Sequence, residues 1–157
     1  MNSYRNFWNT VKYGSVFFLG IILDQWTKYW AVSHLSFWKS LSIFPPALQF
    51  QLVYNHGAAY GILQNQRLLL LAVSISVVVA CALFYRRIAT TPLSKWGLTF
   101  LLIGTIGNSI DRLLLGYVVD FIDIKLVPVF NIADMMINAG VICFILDMVV
   151  VKNKNET

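Results

Sequence analysis

Eighteen consecutive residues, Leu68 to Tyr85, carry no charge. A run of that length crosses a hydrocarbon core of about 30 Å as a helix. Three further apolar segments accompany it. Val11 to Ser33 is uninterrupted over Tyr13–Leu23 before Asp24 and Lys28; Trp96 to Leu115 is apolar until Asn108, Asp111 and Arg112; Ile132 to Val151 holds Asp134 at its start and Asp147 near its close. Strands in lipid would leave backbone groups unpaired, so helices are expected. Only 12% of the 157 residues are charged and 58% are hydrophobic, against about 25% charged in a soluble domain. Such a chain cannot cover a water-facing surface, which excludes a soluble enzyme, a disordered tail and a collagen-like fibre. The fold class expected is mainly α and integral to a membrane. One domain covers 1–157, with transmembrane helices at about 11–33, 68–85, 96–115 and 132–151.

Arg5 and Lys12 ahead of the first apolar run suggest a signal peptide, but Asp24-Gln25-Trp26-Thr27-Lys28 follows instead of a small-residue cleavage site. The segment therefore reads as a retained helix. Arg5, Lys12, Arg86, Arg87, Lys95, Lys152 and Lys154 fall on one side of the spans, with Lys39, Arg67 and Lys125 opposite. The positive-inside rule then places both termini in the cytoplasm. The net charge of +5 is spread singly or in pairs, so no nucleic-acid partner is expected. Cys81 and Cys143 lie in apolar stretches as small hydrophobes, and His34 and His56 match no zinc spacing. Neither a metal nor a cofactor is implied.

Orientation fixes depth. At 1.5 Å per residue Asp24 lies about 16 Å beyond Tyr13, and Asp111 about 22 Å beyond Trp96. Asp120 follows in the outer loop or at the helix end and Asp134 opens the last span, so four of six aspartates approach the outer boundary together. Ionisable groups at such depth are costly and usually functional. Asp24 and Lys28 stand at i, i+4, a structural ion pair before they are chemistry. Adjacent Asp111 and Arg112 point in different directions, each toward another partner; Arg112 would neutralise an acidic site or hold a carbonyl. Asp123 reads as a solvated loop charge and Asp147 as a cytoplasmic boundary residue. Asn131 followed by Asp134 fits helix capping, yet two close carboxylates also share one proton. One then takes a proton from water while the other donates to a carbonyl oxygen.

The outer segment 34–67 is too long for a turn. Leu48-Gln49-Phe50-Gln51-Leu52 alternates as a half-buried strand would, after Pro45-Pro46. The segment is either a folded surface loop or a small sheet with Leu48, Phe50 and Leu52 on one face. In the second case its edge would pair with an extended peptide. Asn55-His56-Gly57-Ala58-Ala59-Tyr60-Gly61 beyond it permits close backbone approach.

These blocks resemble the lipoprotein signal peptidases (signal peptidase II) of bacterial inner membranes. Asp24-Gln25-Trp26-Thr27-Lys28 is similar to D-Q-x-[ST]-K, and Asn55 to Gly61 to N-x-G-A-A-[FW]-[GS]. Gly107-Asn108-Ser109-Ile110-Asp111-Arg112 is similar to G-N-x-x-D-R, Val118-Val119-Asp120-Phe121 to V-V-D-F, and Phe130-Asn131-Ile132-Ala133-Asp134 to F-N-x-A-D. The resemblance implies four transmembrane helices with a small periplasmic sheet, or cradle, between helices 1 and 2. It implies an aspartic endopeptidase whose catalytic dyad is Asp120 and Asp134. Asp24, Lys28, Asn55, Gly57, Asn108, Arg112, Asn131 and Ala133 would surround or support the site. The implied partners are prolipoproteins cut just before a diacylglyceryl-modified cysteine, and the phospholipid bilayer; no oligomer is implied. The implied active site faces the periplasm and is blocked by the cyclic peptide globomycin. Two positions depart from the family pattern: Met135 stands where Ser is usual, and Thr105 bulks out a glycine-rich stretch. The alternative is a small proton-coupled transporter using the same carboxylates as a relay.

Overall fold

Long helices cover most of the four apolar segments, with the second ending at Leu83, two residues short of Tyr85, and the third at Leu114. In the computed structural model, which describes residues 2–37 and 39–155, α1 is Asn2–His34, α2 Arg67–Leu83, the one-turn α3 Tyr85–Ile88, α4 Pro92–Leu114 and α5 Ile132–Asn155. Among the described residues, Ile132–Val151 alone is long and apolar enough to cross a membrane by length and hydropathy, and Arg67–Leu83 is apolar but shorter. Polar residues gathered on one face dilute α1 and α4. The other face of α1 is bare: Phe18, Leu19, Ile22 and Trp26 are each exposed by more than three-fifths. A water-soluble monomer rarely shows so continuous an apolar surface.

The hub is α4, which packs on α5, α1 and α2. It starts sharply because Thr91 and Ser94 cap each other reciprocally and Pro92 occupies the first turn. Toward α5, small residues let the two backbones meet. A Cβ on Gly140 would sit 2.7 Å from the Gly97 carbonyl oxygen, and one on Gly104 would overlap the Ala133 carbonyl oxygen. Such close approach is how helices associate where lipid removes the hydrophobic drive. Gly104→Ala should therefore push away the turn of α5 that carries Asp134. We expect about 1–3 kcal/mol of destabilisation, read as a lower Tm in detergent. The departure at Thr105 is accommodated as a buried residue of α4.

Three antiparallel strands form one sheet in the order β1-β2-β3, with β1 Leu41–Phe44, β2 Leu48–Asn55 and β3 Val118–Asp123. A sheet lying wholly between the first two long helices is thus corrected, because its third strand comes from the link between α4 and α5. That strand is buried at five of its six positions. A strand covered on both faces reads as a continuous apolar run, without the alternation that marks β2. Along β2 only Leu52 is fully buried, and the register slips between Phe50 and Val53, so Leu48, Phe50 and Leu52 do not form one regular face.

On the far side of β3, Phe130 exchanges backbone hydrogen bonds with Ile122 (3.0 and 2.8 Å). This clamp delivers the start of α5 directly beside Asp120.

Candidate active site

The site is built from the meeting of α1, α4, β2, β3 and the first turn of α5. Val53 pairs with Asp120 and Asn55 with Val118 across β2 and β3, so Asn55 and Asp120 are diagonal neighbours on one face. The Asn55 amide nitrogen donates to Asp120 Oδ2 at 3.0 Å. Its oxygen accepts from the Gly57 backbone N–H at 2.9 Å, an Asx turn that holds the amide in that orientation. Gly57 is required for space, since a Cβ there would meet the Ile62 carbonyl oxygen at 2.7 Å.

Asn131 joins the two carboxylates. Its side-chain oxygen accepts from the Asp134 backbone N–H (2.9 Å), and its own backbone N–H donates to Asp134 Oδ2 (3.2 Å). Helix capping is therefore present, as the spacing of Asn131 and Asp134 suggests. It coexists with a second role: Asn131 Nδ2 donates to Asp120 Oδ1 at 2.7 Å, while Asn108 Nδ2 donates to Asp134 Oδ1 at 2.8 Å. Asp120 is 2% exposed, whereas Asp134 is half-buried. Burial pushes the Asp120 carboxyl up to about 7, and the adjacent Asp134 charge adds to the rise against the hydrogen bonds from Asn55 and Asn131.

Beneath them lies a buried ionic layer. Lys28 Nζ meets Asp24 Oδ2 at 2.9 Å, Asp111 Oδ2 at 3.0 Å and Asn108 Oδ1 at 3.0 Å. Its three protons thus have three acceptors. The Asp24–Lys28 pair is structural, as its spacing suggests, and it reaches further than the helix. Asp24 Oδ1 accepts from the Ala133 N–H at 2.8 Å, tying α1 to the turn that carries Asp134. Asp111 Oδ2 accepts from the Val119 N–H at 3.0 Å, fixing the strand that carries Asp120.

Asp111, one of the four converging aspartates, and Gln25, to which the sequence assigns no role, complete this layer. Gln25 Nε2 reaches Asp24 Oδ2 (3.1 Å), Asp111 Oδ1 (2.9 Å) and the Gly107 carbonyl (3.2 Å). The signal lay in helical spacing, because Asn108 and Asp111 stand at i, i+3 and share a face of α4. Arg112 parts from Asp111 as adjacency predicts, donating to the Gly57 carbonyl at 3.0 Å. Asp123 is a buried partner of Gln49 (2.7 Å) and Lys125 (2.9 Å), not a solvated loop charge, because β3 carries it into the sheet. Asp147 accepts from Thr91 at the α4 cap.

Asp120 and Asp134 open on a cavity of about 820 Å³ that Asn55, Asn108 and Arg112 also line. Its remaining wall is mainly apolar, with Val127, Pro128, Ile137 and Ile142 among the residues there, Met135 beside Asp134, and Asn138 and Tyr60 as polar exceptions. A polar end with two acids and an apolar wall suits a substrate whose reacting bond adjoins a greasy group.

Comparison with known proteins agrees. The family model for signal peptidase (SPase) II matches residues 16–150. The lipoprotein signal peptidase of Brevibacillus brevis is 38% identical over 139 residues, covering 87% of this chain and 93% of its own. That of Caldanaerobacter subterraneus is 44% identical over 125 residues, covering 78% and 85%. A bacterial membrane enzyme solved by the in meso method at 2.3 Å superposes with a TM-score of 0.85 at 30% identity, covering 93% of this chain and 92% of that one. These likenesses point to the peptidase and give the transporter no support. The chain belongs to the signal peptidase II family of bacterial membrane aspartic peptidases, the lipoprotein signal peptidases.

Proposed function

We propose that this chain is a four-span enzyme of the bacterial inner membrane, with both termini cytoplasmic and its site at the periplasmic boundary. It removes the signal peptide from diacylglyceryl-modified prolipoproteins, cutting just before the lipidated cysteine. One observation carries this: Asp120 and Asp134 line a single cavity and share Asn131 as a hydrogen-bond partner. Asp120, the more desolvated acid, holds the shared proton and donates it toward the scissile carbonyl oxygen. Asp134 takes a proton from the attacking water. Arg112 and Asn108 stabilise the negative charge that develops on the carbonyl oxygen. The lipid of the cysteine lies along the apolar wall, and the segment before it extends toward β2.

The test is a gel-shift assay of a lipidated prolipoprotein with purified enzyme in liposomes. Cleavage just before the cysteine, abolished by globomycin, is the expected result. Net ion flux without cleavage would favour a relay instead.

Asp120 also makes a prediction about pH. Its folded value of about 7 lies above the unfolded value of about 3.9. Its contribution to stability is therefore complete below about pH 4 and declines by about 1.4 kcal/mol per pH unit until about pH 7. Activity should fall above neutrality as Asp120 loses its proton. Asp120→Asn should flatten the stability slope between those limits, as read by thermal unfolding in detergent at a series of pH values.

A further inference from the structure

A second cleft, of about 750 Å³, lies far from the dyad between α1 and α2, with α4 as its floor. Both helices pack on α4 and scarcely touch each other, which leaves the space open. Gly14 and Phe17 of α1, Val78 and Cys81 of α2, and Leu102 of α4 make its walls. Gly14 contributes to the opening directly, since a Cβ there would meet nothing within 4 Å. Lys95 is the one formal charge among the lining residues. Lys12 stands at the same end, with Nζ 4.9 Å from the Trp96 ring centre and 5.9 Å from that of Tyr13. Among the described residues neither lysine has a carboxylate within 4 Å. Arg86 and Arg87 follow Tyr85, another lining residue, on α3.

We infer that this cleft holds an acyl chain of an anionic phospholipid of the cytoplasmic leaflet, with the headgroup phosphate at Lys12 and Lys95. The inference rests on the proposed membrane orientation and not on the peptidase chemistry. From Thr10 to Phe17 the α1 wall runs about 10 Å into the bilayer, so the slot enters at the headgroups and continues among the chains. Basic residues at the cytoplasmic surface attract anionic lipids, and basic pockets between spans hold their headgroups. The same charge argues against a signal peptide as occupant, because the cytoplasmic end of a signal peptide is itself basic.

The test uses the purified full chain in mild detergent, titrated with phosphatidylglycerol or phosphatidylcholine of identical chains and observed by native mass spectrometry. Wild type should retain phosphatidylglycerol selectively. Lys12→Gln and Lys95→Gln should each weaken it about 5-fold, and Gly14→Leu should block retention by filling the slot. Equal retention of the two lipids would overturn the inference, as would undiminished phosphatidylglycerol binding by Gly14→Leu. A second copy of the chain, or a signal peptide displacing the lipid, would also overturn it. Prolipoprotein cleavage measured on the same samples separates the two proposals: selective lipid retention without wild-type cleavage counts against the dyad and supports the lipid site.

Discussion

Asp120→Asn and Asp134→Asn are each expected to reduce prolipoprotein cleavage by about 10²–10⁴-fold, the usual worth of a positioned acid or base. The double variant should be little worse than either single one, because groups acting as a unit are not additive. Geometry explains why so small a change suffices. Both oxygens of Asp134 accept, one from Asn131 N–H and one from Asn108 Nδ2. An amide there turns a donor against one of them and cannot take a proton from water. At Asp120 the partners are Asn131 Nδ2 and Asn55 Nδ2. Rotating the Asn55 amide to suit an Asn would break its turn with Gly57. Single-turnover cleavage in liposomes, beside a melting curve showing a folded protein, is the measurement. Near wild-type cleavage by folded Asp120→Asn would sink the dyad.

Lys28→Met carries the largest expected loss of stability. It leaves Asp24, fully buried, and Asp111, 2% exposed, without the ammonium that both contact. Stranding buried charge in this way costs about 3–5 kcal/mol. The effect should be non-additive: adding Asp24→Asn to Lys28→Met should recover part of the lost Tm, since it removes a charge no longer paired. A Lys28→Met protein that unfolds with wild type would show the ionic layer to be dispensable. Because Asp24 also holds the Ala133 N–H, the single variant should lose cleavage at temperatures where it is still folded.

Much of this arrangement was readable before any coordinates. Apolar runs locate helices because period and length suffice for that, and the i, i+4 spacing of Asp24 and Lys28 announces their pair. The capping pattern of Asn131 and Asp134 was equally plain. What escaped depends on contacts between distant parts of the chain. Nothing local in Val118–Asp123 says that it pairs with β2, since a strand buried on both faces has lost its alternation. Asp123 looked solvated for the same reason. The reach of Gln25 to Asp111, separated by 86 positions, has no local signature either. The resemblance supplied candidate residues for the site, but not the joint by which Asn131 serves both acids.

On the proposed dyad, that joint would tie chemistry to biogenesis. One asparagine begins the last helix and steadies an acid on a strand made earlier in the chain, so neither half of the proposed machinery is ready alone. A polypeptide still emerging into the bilayer, lacking its final span, would be proteolytically silent. Hydrolytic power would arrive only with completed insertion, sparing neighbouring precursors from a half-made protease.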